Sequence, residues 1–162
     1  MGFNLAAATS VNNKTFQENL EALDLEAIAQ RLMHPEYGLG WSHKQVERAI
    51  ARYKMFLHLV YLYPNNAIVP TREIDIVWHH HILDTRKYAF DCEWLFGYFV
   101  HHNPNLDFRS QTNQLALERA FYDTKTLFAE HFGVLLIEEI HKSQSIIPCK
   151  DRLQQASACA DL

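Results

Sequence analysis

The sequence has few cysteines and no long apolar run. Its three cysteines are widely spaced and form no Cys-x-x-Cys pair, which argues against a disulfide framework or a structural zinc knot. The longest apolar stretch, from Met55 to Tyr63, is interrupted by His58 and is shorter than the roughly 18 residues that a membrane span needs. We therefore expect reduced thiols, no membrane-spanning segment and a cytoplasmic protein.

An excess of positive charge is also absent. The formal net charge of -4 and the pI of about 6.2 provide no general attraction to phosphate backbones or anionic lipids. The first sixteen residues lack the basic start and the apolar core of a secretory signal. We expect neither nucleic acid nor a membrane as partner, and a small molecule or another protein remains as the class of partner.

Apolar residues at helical spacing dominate what is present. With 48% hydrophobic residues in 162 positions, the chain is long enough to bury about 70% of its surface in one domain. The spacing predicts an all-α fold: a single compact domain of five or six helices around a central helix at about 72–99. We predict a flexible N-terminal arm over 1–18, the helical domain over 19–147 and a flexible C-terminal tail over 148–162.

Capping residues indicate where several helices begin and end. Asp24 is the predicted cap of an early helix. Ser42 and Gln45 form a Ser-x-x-Gln capping box at the start of the clearest helix, which stops at a proline. A further helix over about 111–132 is followed by Gly133, a natural left-handed C-cap.

The central segment carries apolar side chains on both faces of a helical wheel, which predicts a helix buried on two sides. His81 falls on one face, where Asp84 at i+3 is within reach of its ring. His79 falls on the opposite face, with Asp75 at i-4. Two histidines two positions apart on an unbroken helix lie about 200° apart and cannot bind one ion. Either one of them is excluded from a metal site, or the helix breaks near Asp84.

Histidines are concentrated around this segment, since five of the ten lie between positions 69 and 104. The vicinal pair His101-His102 follows the predicted helix and is placed to fold back toward it. Two or three imidazoles with one carboxylate would suit Zn or non-haem Fe(II). The predicted metal ligands are His79, His81, His101, His102 and Asp84, with Asp75 as the alternative carboxylate.

The run WHHHILDTRKYAFDCEWLFGYFVHHNP resembles the pattern WHxHxLDTxxYxxDCxxxFGxFxHHxP of the glycine-rich-domain-containing-protein-like family. The matching positions extend from Trp78 to Pro104, and similar flanks extend the resemblance to roughly residues 24–133. Plant members of that family join this domain to RNA-recognition or glycine-rich regions. The present sequence contains neither, so no RNA role is implied. The resemblance implies that the matching positions form one unit.

Three functional hypotheses are compatible with the histidine and aspartate cluster. In the first, the protein is a small intracellular metalloprotein or metalloenzyme that binds a divalent transition metal, Zn or Fe. In the second, it is a protein-interaction or scaffold module whose buried cluster is structural. In the third, it is a metal-free acid–base enzyme acting on a small molecule, with His81, Asp84 and Tyr88 as catalytic residues. The sequence leaves open whether the protein is an enzyme.

Overall fold

A computed structural model describes residues 15–102 and 111–137, and these residues form six α-helices and no strand. The helices are α1 (15–22), α2 (Glu26–Met33), α3 (His43–Leu62), α4 (Arg72–Leu83), α5 (Thr85–Phe96) and α6 (Gln111–Phe132). The predicted all-α class is confirmed. Helix α3 lies at the centre, with α2, α4 and α6 packed against it, while α5 packs on α4.

The N-terminal part of the domain begins earlier than the sequence predicted. Residues 15–18, assigned to an N-terminal arm, form the first turn of α1. Phe16 is buried there and stacks on Tyr61 of α3, with 3.8 Å between ring centroids. This aromatic contact and the buried Leu20 tie α1 to the core. The predicted tail, 148–162, lies outside the described residues.

Local capping explains most helix boundaries. Helix α3 begins with the predicted box, in which Ser42 accepts from the backbone N–H of Gln45 and the Gln45 side chain accepts from the Ser42 N–H. Helix α6 ends at Gly133, whose φ of +65° is the predicted left-handed cap. The start of α2 differs, because Leu25 is its N-cap and the Asp24 carboxylate instead accepts from the Glu26 N–H two positions on. No helix in the described ranges has the length and apolarity that crossing a bilayer demands.

The predicted central helix is divided in two at Asp84. This residue is both the C-cap of α4 and the N-cap of α5, and its carboxylate accepts from the Lys87 backbone N–H at 3.4 Å. A capping carboxylate satisfies an N–H that an uninterrupted helix would bond internally, so α5 starts afresh in a new direction. Both possibilities that the sequence left open are therefore observed: the helix breaks at Asp84, and His79 and His81, which share the unbroken α4, do not lie in one metal site.

Because α5 changes direction, one face of the central segment is not buried as predicted. Leu83, Phe90 and Trp94 are 70%, 68% and 40% exposed. The opposite face of α5, with Tyr88, Cys92 and Leu95, packs into the core. The expectation that residues 72–99 form a helix covered on both sides is therefore wrong, and α3 takes the central place.

An ion-pair cluster fixes α4 on α3. Glu73 is only 7% exposed, and its two carboxylate oxygens accept from Arg48 at 2.7 Å and from Arg52 at 2.6 Å. Two guanidinium partners offset the cost of removing one carboxylate from water. The first turn of α4 is thus held against α3, which sets the position of the histidines that follow.

Candidate metal site

Asp75 and His79 lie one turn apart on the outer side of α4. Nδ1 of His79 is 2.8 Å from the backbone carbonyl oxygen of Asp75 and 3.3 Å from the Asp75 carboxylate. Because a carbonyl oxygen can only accept, Nδ1 carries the hydrogen, and the neutral ring keeps its lone pair on Nε2. A histidine that donates one N–H to a backbone carbonyl has the tautomer and orientation typical of a metal ligand.

His102 reaches the same place from the segment after α5. Gly97 ends α5 with a φ of +72° and lets the chain turn back. Two hydrogen bonds then hold the segment that follows α5: Trp78 of α4 donates its indole N–H to the Tyr88 hydroxyl at 2.9 Å, and that hydroxyl donates to the Val100 carbonyl at 2.6 Å. These bonds place His102 against α4.

The three side chains converge on one point. Nε2 of His102 is 2.9 Å from Oδ1 of Asp75, and the His79 and His102 ring centroids are 4.5 Å apart. One potential ligand atom from each of the three residues lies within 4.8 Å of the others. Their side chains are 33%, 43% and 17% exposed for Asp75, His79 and His102. The group, called here the Asp75 triad, is therefore reachable from solvent.

The electrostatics of the Asp75 triad favour a cation. Burial acts to raise the pKa of Asp75, but hydrogen bonds from His79 and His102 outweigh it and lower that pKa. The hydrogen bond between His79 and the Asp75 carboxylate raises the pKa of His79, although partial burial acts to lower it. Asp75 is thus held as a carboxylate between two imidazoles, the combination of oxygen and nitrogen donors that binds divalent transition metals.

His81, a predicted ligand and predicted base, lies outside the triad. Its ring is 1% exposed, with Nε2 at 2.8 Å from the Asp91 carboxylate and Nδ1 at 2.9 Å from the Tyr53 hydroxyl. Lys87 also pairs with Asp91, at 2.8 Å. Burial lowers the pKa of His81 against the attraction of Asp91. The prediction of Asp84 as the partner of His81 is wrong, because α5 packs on α4 after the helix break and brings Asp91 to the ring instead.

The remaining predicted site residues, Asp84, Tyr88 and His101, lie outside the Asp75 triad. Asp84 caps α5, as described above, and does not join the Asp75 triad. Tyr88 is buried and uses its hydroxyl both as acceptor and as donor. Burial raises its pKa well above the usual value. His101 is exposed and packs on Phe99, so of the vicinal pair only His102 points to α4.

A metal-free base at His81 finds no support in this arrangement. Both ring nitrogens already have partners within the protein, and the ring has almost no contact with solvent. A general base needs a free lone pair within reach of a substrate proton. The hydrogen-bonded series from Tyr53 through His81 and Asp91 to Lys87 instead ties α3, α4 and α5 together.

Two features of the site are predicted by the sequence only in part or not at all. The sequence predicts Asp75 only as an alternative to Asp84, although the i, i+4 spacing of Asp75 and His79 is readable from the sequence. Tyr53 and Asp91 were not foreseen as partners of His81. They lie 28 and 10 positions away, and no local spacing rule connects residues across separate helices.

Comparison with known proteins identifies relatives of this region. The profile of the UCP032817-like family matches residues 17–131. Glycine-rich domain-containing protein 1 of Arabidopsis thaliana is 26% identical over 141 residues, which cover 81% of this chain and 17% of that protein. Glycine-rich domain-containing protein 2 of the same plant is 33% identical over 92 residues, 54% of this chain and 11% of that protein. No solved structure matches the chain. The chain thus spans less than a fifth of these two curated relatives.

Proposed function

This chain belongs to the UCP032817-like family, and from the geometry of the Asp75 triad we propose that it binds one divalent transition-metal ion. The sequence pattern predicted a resemblance to glycine-rich-domain-containing proteins, and the names of both relatives confirm it. The ion would be held by Asp75, His79 and His102. Zinc and Fe(II) are the ions that this donor set suits best.

The observation that carries the proposal is the convergence of three donors from two separate segments. Asp75 and His102 are 27 positions apart, yet their ligand atoms are 2.9 Å apart. Ligands at about 2.0 Å from a tetrahedral ion are about 3.3 Å from one another, so a small adjustment admits an ion where a proton is now shared. Metal binding at this group would displace that proton.

The number of donors also bears on the kind of metal site. Closed structural zinc sites have four protein ligands, whereas catalytic sites keep a position open for water or substrate. The described residues contribute three ligands, and all three are partly exposed. A metal held here would be available as a Lewis acid to a bound molecule. We therefore favour a reactive centre over a purely structural one.

Zinc titration of the metal-free protein, purified without a polyhistidine tag, tests the proposal. We expect one equivalent to bind to the wild type in calorimetry and in elemental analysis. Asp75→Asn removes a charged ligand and should weaken zinc binding by tenfold or more, about 1.4 kcal/mol. Asp84→Asn is the matched control, because asparagine is an equally good helix cap and the residue is not in the triad.

Two outcomes would contradict the metal hypothesis. One is retention of less than about a tenth of an equivalent of zinc or iron after reconstitution at a pH that leaves imidazole neutral. The other is an equal loss of zinc affinity in Asp75→Asn and Asp84→Asn. The interaction-module hypothesis stays a prediction, and either of these two results would favour it over the metal hypothesis.

A further inference from the structure

A pocket of about 270 Å³ lies beside the first turns of α4, the helix that also carries Asp75 and His79. Leu39, Trp41 and Ile76 supply its apolar wall, and Arg48, Arg72 and Glu73 supply its charged side. Its size is close to the lower end of the roughly 300–1,000 Å³ that small-molecule sites occupy. A site of this kind, apolar with a few charged groups at one side, suits an amphipathic molecule.

The pocket and the triad lie on adjoining sides of the same helix, with Arg72 and Ile76 nearest to the border between them. At 100° per residue, the positions of Arg72, Asp75, Ile76 and His79 fall within a sector of about 100°. Ile76 lies one turn from His79, so the apolar wall continues to the triad. Arg72, seven positions before His79, is displaced from it by about 10 Å along the helix axis.

The charges of the pocket indicate the sign of its occupant. The Glu73 carboxylate is already bound by Arg48 and Arg52. Within the ranges 15–102 and 111–137, no ion pair is found for Arg72, which is exposed beside the pocket. Two guanidinium groups and one carboxylate on the pocket wall leave one unit of positive charge there. A single carboxylate matches both that charge and the forked geometry of a guanidinium group.

We propose that the pocket binds the apolar body of an organic carboxylate whose negative end pairs with Arg72 and whose other end reaches the metal at the Asp75 triad. This inference rests on the proposed metal function and names the substrate class of that same centre: a linear organic acid with an apolar middle portion. The pocket orients the molecule, and the triad holds the ion that meets its far end.

A bifunctional probe tests the two ends at once. Suberic acid monohydroxamate carries a zinc-binding hydroxamate at one end, a carboxylate at the other and a methylene chain between them. Its methyl ester has the same chain without the charge. We expect the acid to bind the zinc-loaded protein tenfold or more tightly than the ester, the scale of one charge-assisted hydrogen-bonded pair. Arg72→Gln should remove that advantage.

Two tryptophan indole N–H signals in proton–nitrogen NMR spectra distinguish the steps. Trp78, whose ring centroid is 4.4 Å from that of His102, should shift when zinc binds. Trp41, on the pocket wall, should shift when the probe binds. Trp94 lies on the exposed face of α5 and should stay unchanged. Arg86→Gln, the same substitution on the exposed side of α5, is the control for Arg72→Gln.

Failure of the metal function and failure of the carboxylate pocket would give different results. If zinc does not shift Trp78 and calorimetry detects no binding, the proposed metal function fails. If zinc binds but acid and ester have equal affinities, the carboxylate pocket is overturned while the metal site stands. An advantage of the acid that survives Arg72→Gln, or that is lost equally in Arg86→Gln, also overturns the pocket. Leu39→Glu, which adds a negative charge at a half-exposed loop residue of the pocket wall, should likewise abolish the preference for the acid.

Discussion

Asp75 and His102 are separated by 27 positions in the sequence, and their side chains are 2.9 Å apart. This distance depends on the break at Asp84, on the return of the chain after Gly97 and on the hydroxyl of Tyr88. The contact is therefore a product of the whole α4–α5 unit. It forms only when that unit has folded.

Zinc binding should stabilise the protein, and this stabilisation should require His102 but not the neighbouring His101. At a zinc concentration a hundred times the Kd, binding adds about 2.7 kcal/mol to the free energy of unfolding, which raises the Tm by several degrees. His102→Gln should lose this increment, because the variant lacks a ligand. His101→Gln should keep it, since His101 is exposed and its ring packs on Phe99. Equal zinc-induced shifts of Tm in the two variants would contradict the assignment.

Asp91→Asn should destabilise the protein without affecting zinc binding. The substitution weakens the bonds to buried His81 and to Lys87, at a cost of about 1–3 kcal/mol in the free energy of unfolding. Urea denaturation measures this cost, and Glu93→Gln, the same change at an exposed site on α5, is the control. Loss of zinc affinity with unchanged stability would instead place His81 in the metal site.

Tyr88→Phe should affect both stability and metal affinity. It leaves the Trp78 N–H and the Val100 carbonyl without their present partner, which costs about 1–3 kcal/mol. Since the Val100 bond positions His102, zinc affinity should fall too, though less than in His102→Gln. Calorimetry at a temperature where the variant is fully folded separates the two effects. Unchanged stability would show that the hydroxyl bonds contribute nothing.

His58 should make the folded state less stable as the pH falls. Burial between Phe16 and Phe132, and next the charge of His131, lowers its pKa below 6.5. The unfolded chain therefore binds a proton first. This contribution to stability is complete above pH 6.5 and declines as the pH falls toward the folded-state pKa. His58→Gln should reduce the loss of stability across this range in urea titrations, whereas His101→Gln should not. A slope unchanged by His58→Gln would rule out the effect.

Local chemistry made much of the fold predictable. The Ser42 capping box and the left-handed Gly133 were readable because each depends on residues within four positions. The i, i+4 relation of Asp75 and His79 belongs to the same category. The break at Asp84 could be named as a possibility, since a capping aspartate was present, but its occurrence depends on how α5 packs.

Contacts between helices were the part that the sequence did not determine. The partners of His81 come from α3 and α5, and either could be chosen only after the direction of α5 was known. The same uncertainty led to the wrong expectation for Leu83, Phe90 and Trp94, whose apolar character on a helical wheel predicted burial. An apolar stripe indicates which residues can be buried, and tertiary packing decides which of them are.

The return of His102 to α4 has a further consequence for how the protein unfolds. An ion bound by both Asp75 and His102 would cross-link the chain across the 27 positions that separate them, much as a disulfide does. Such a cross-link would restrict the separation of α4 and α5 in a partly unfolded chain. Complete unfolding would then be slower. Metal supply would then govern the lifetime of the folded protein in the presence of proteases as well as any chemistry at the centre.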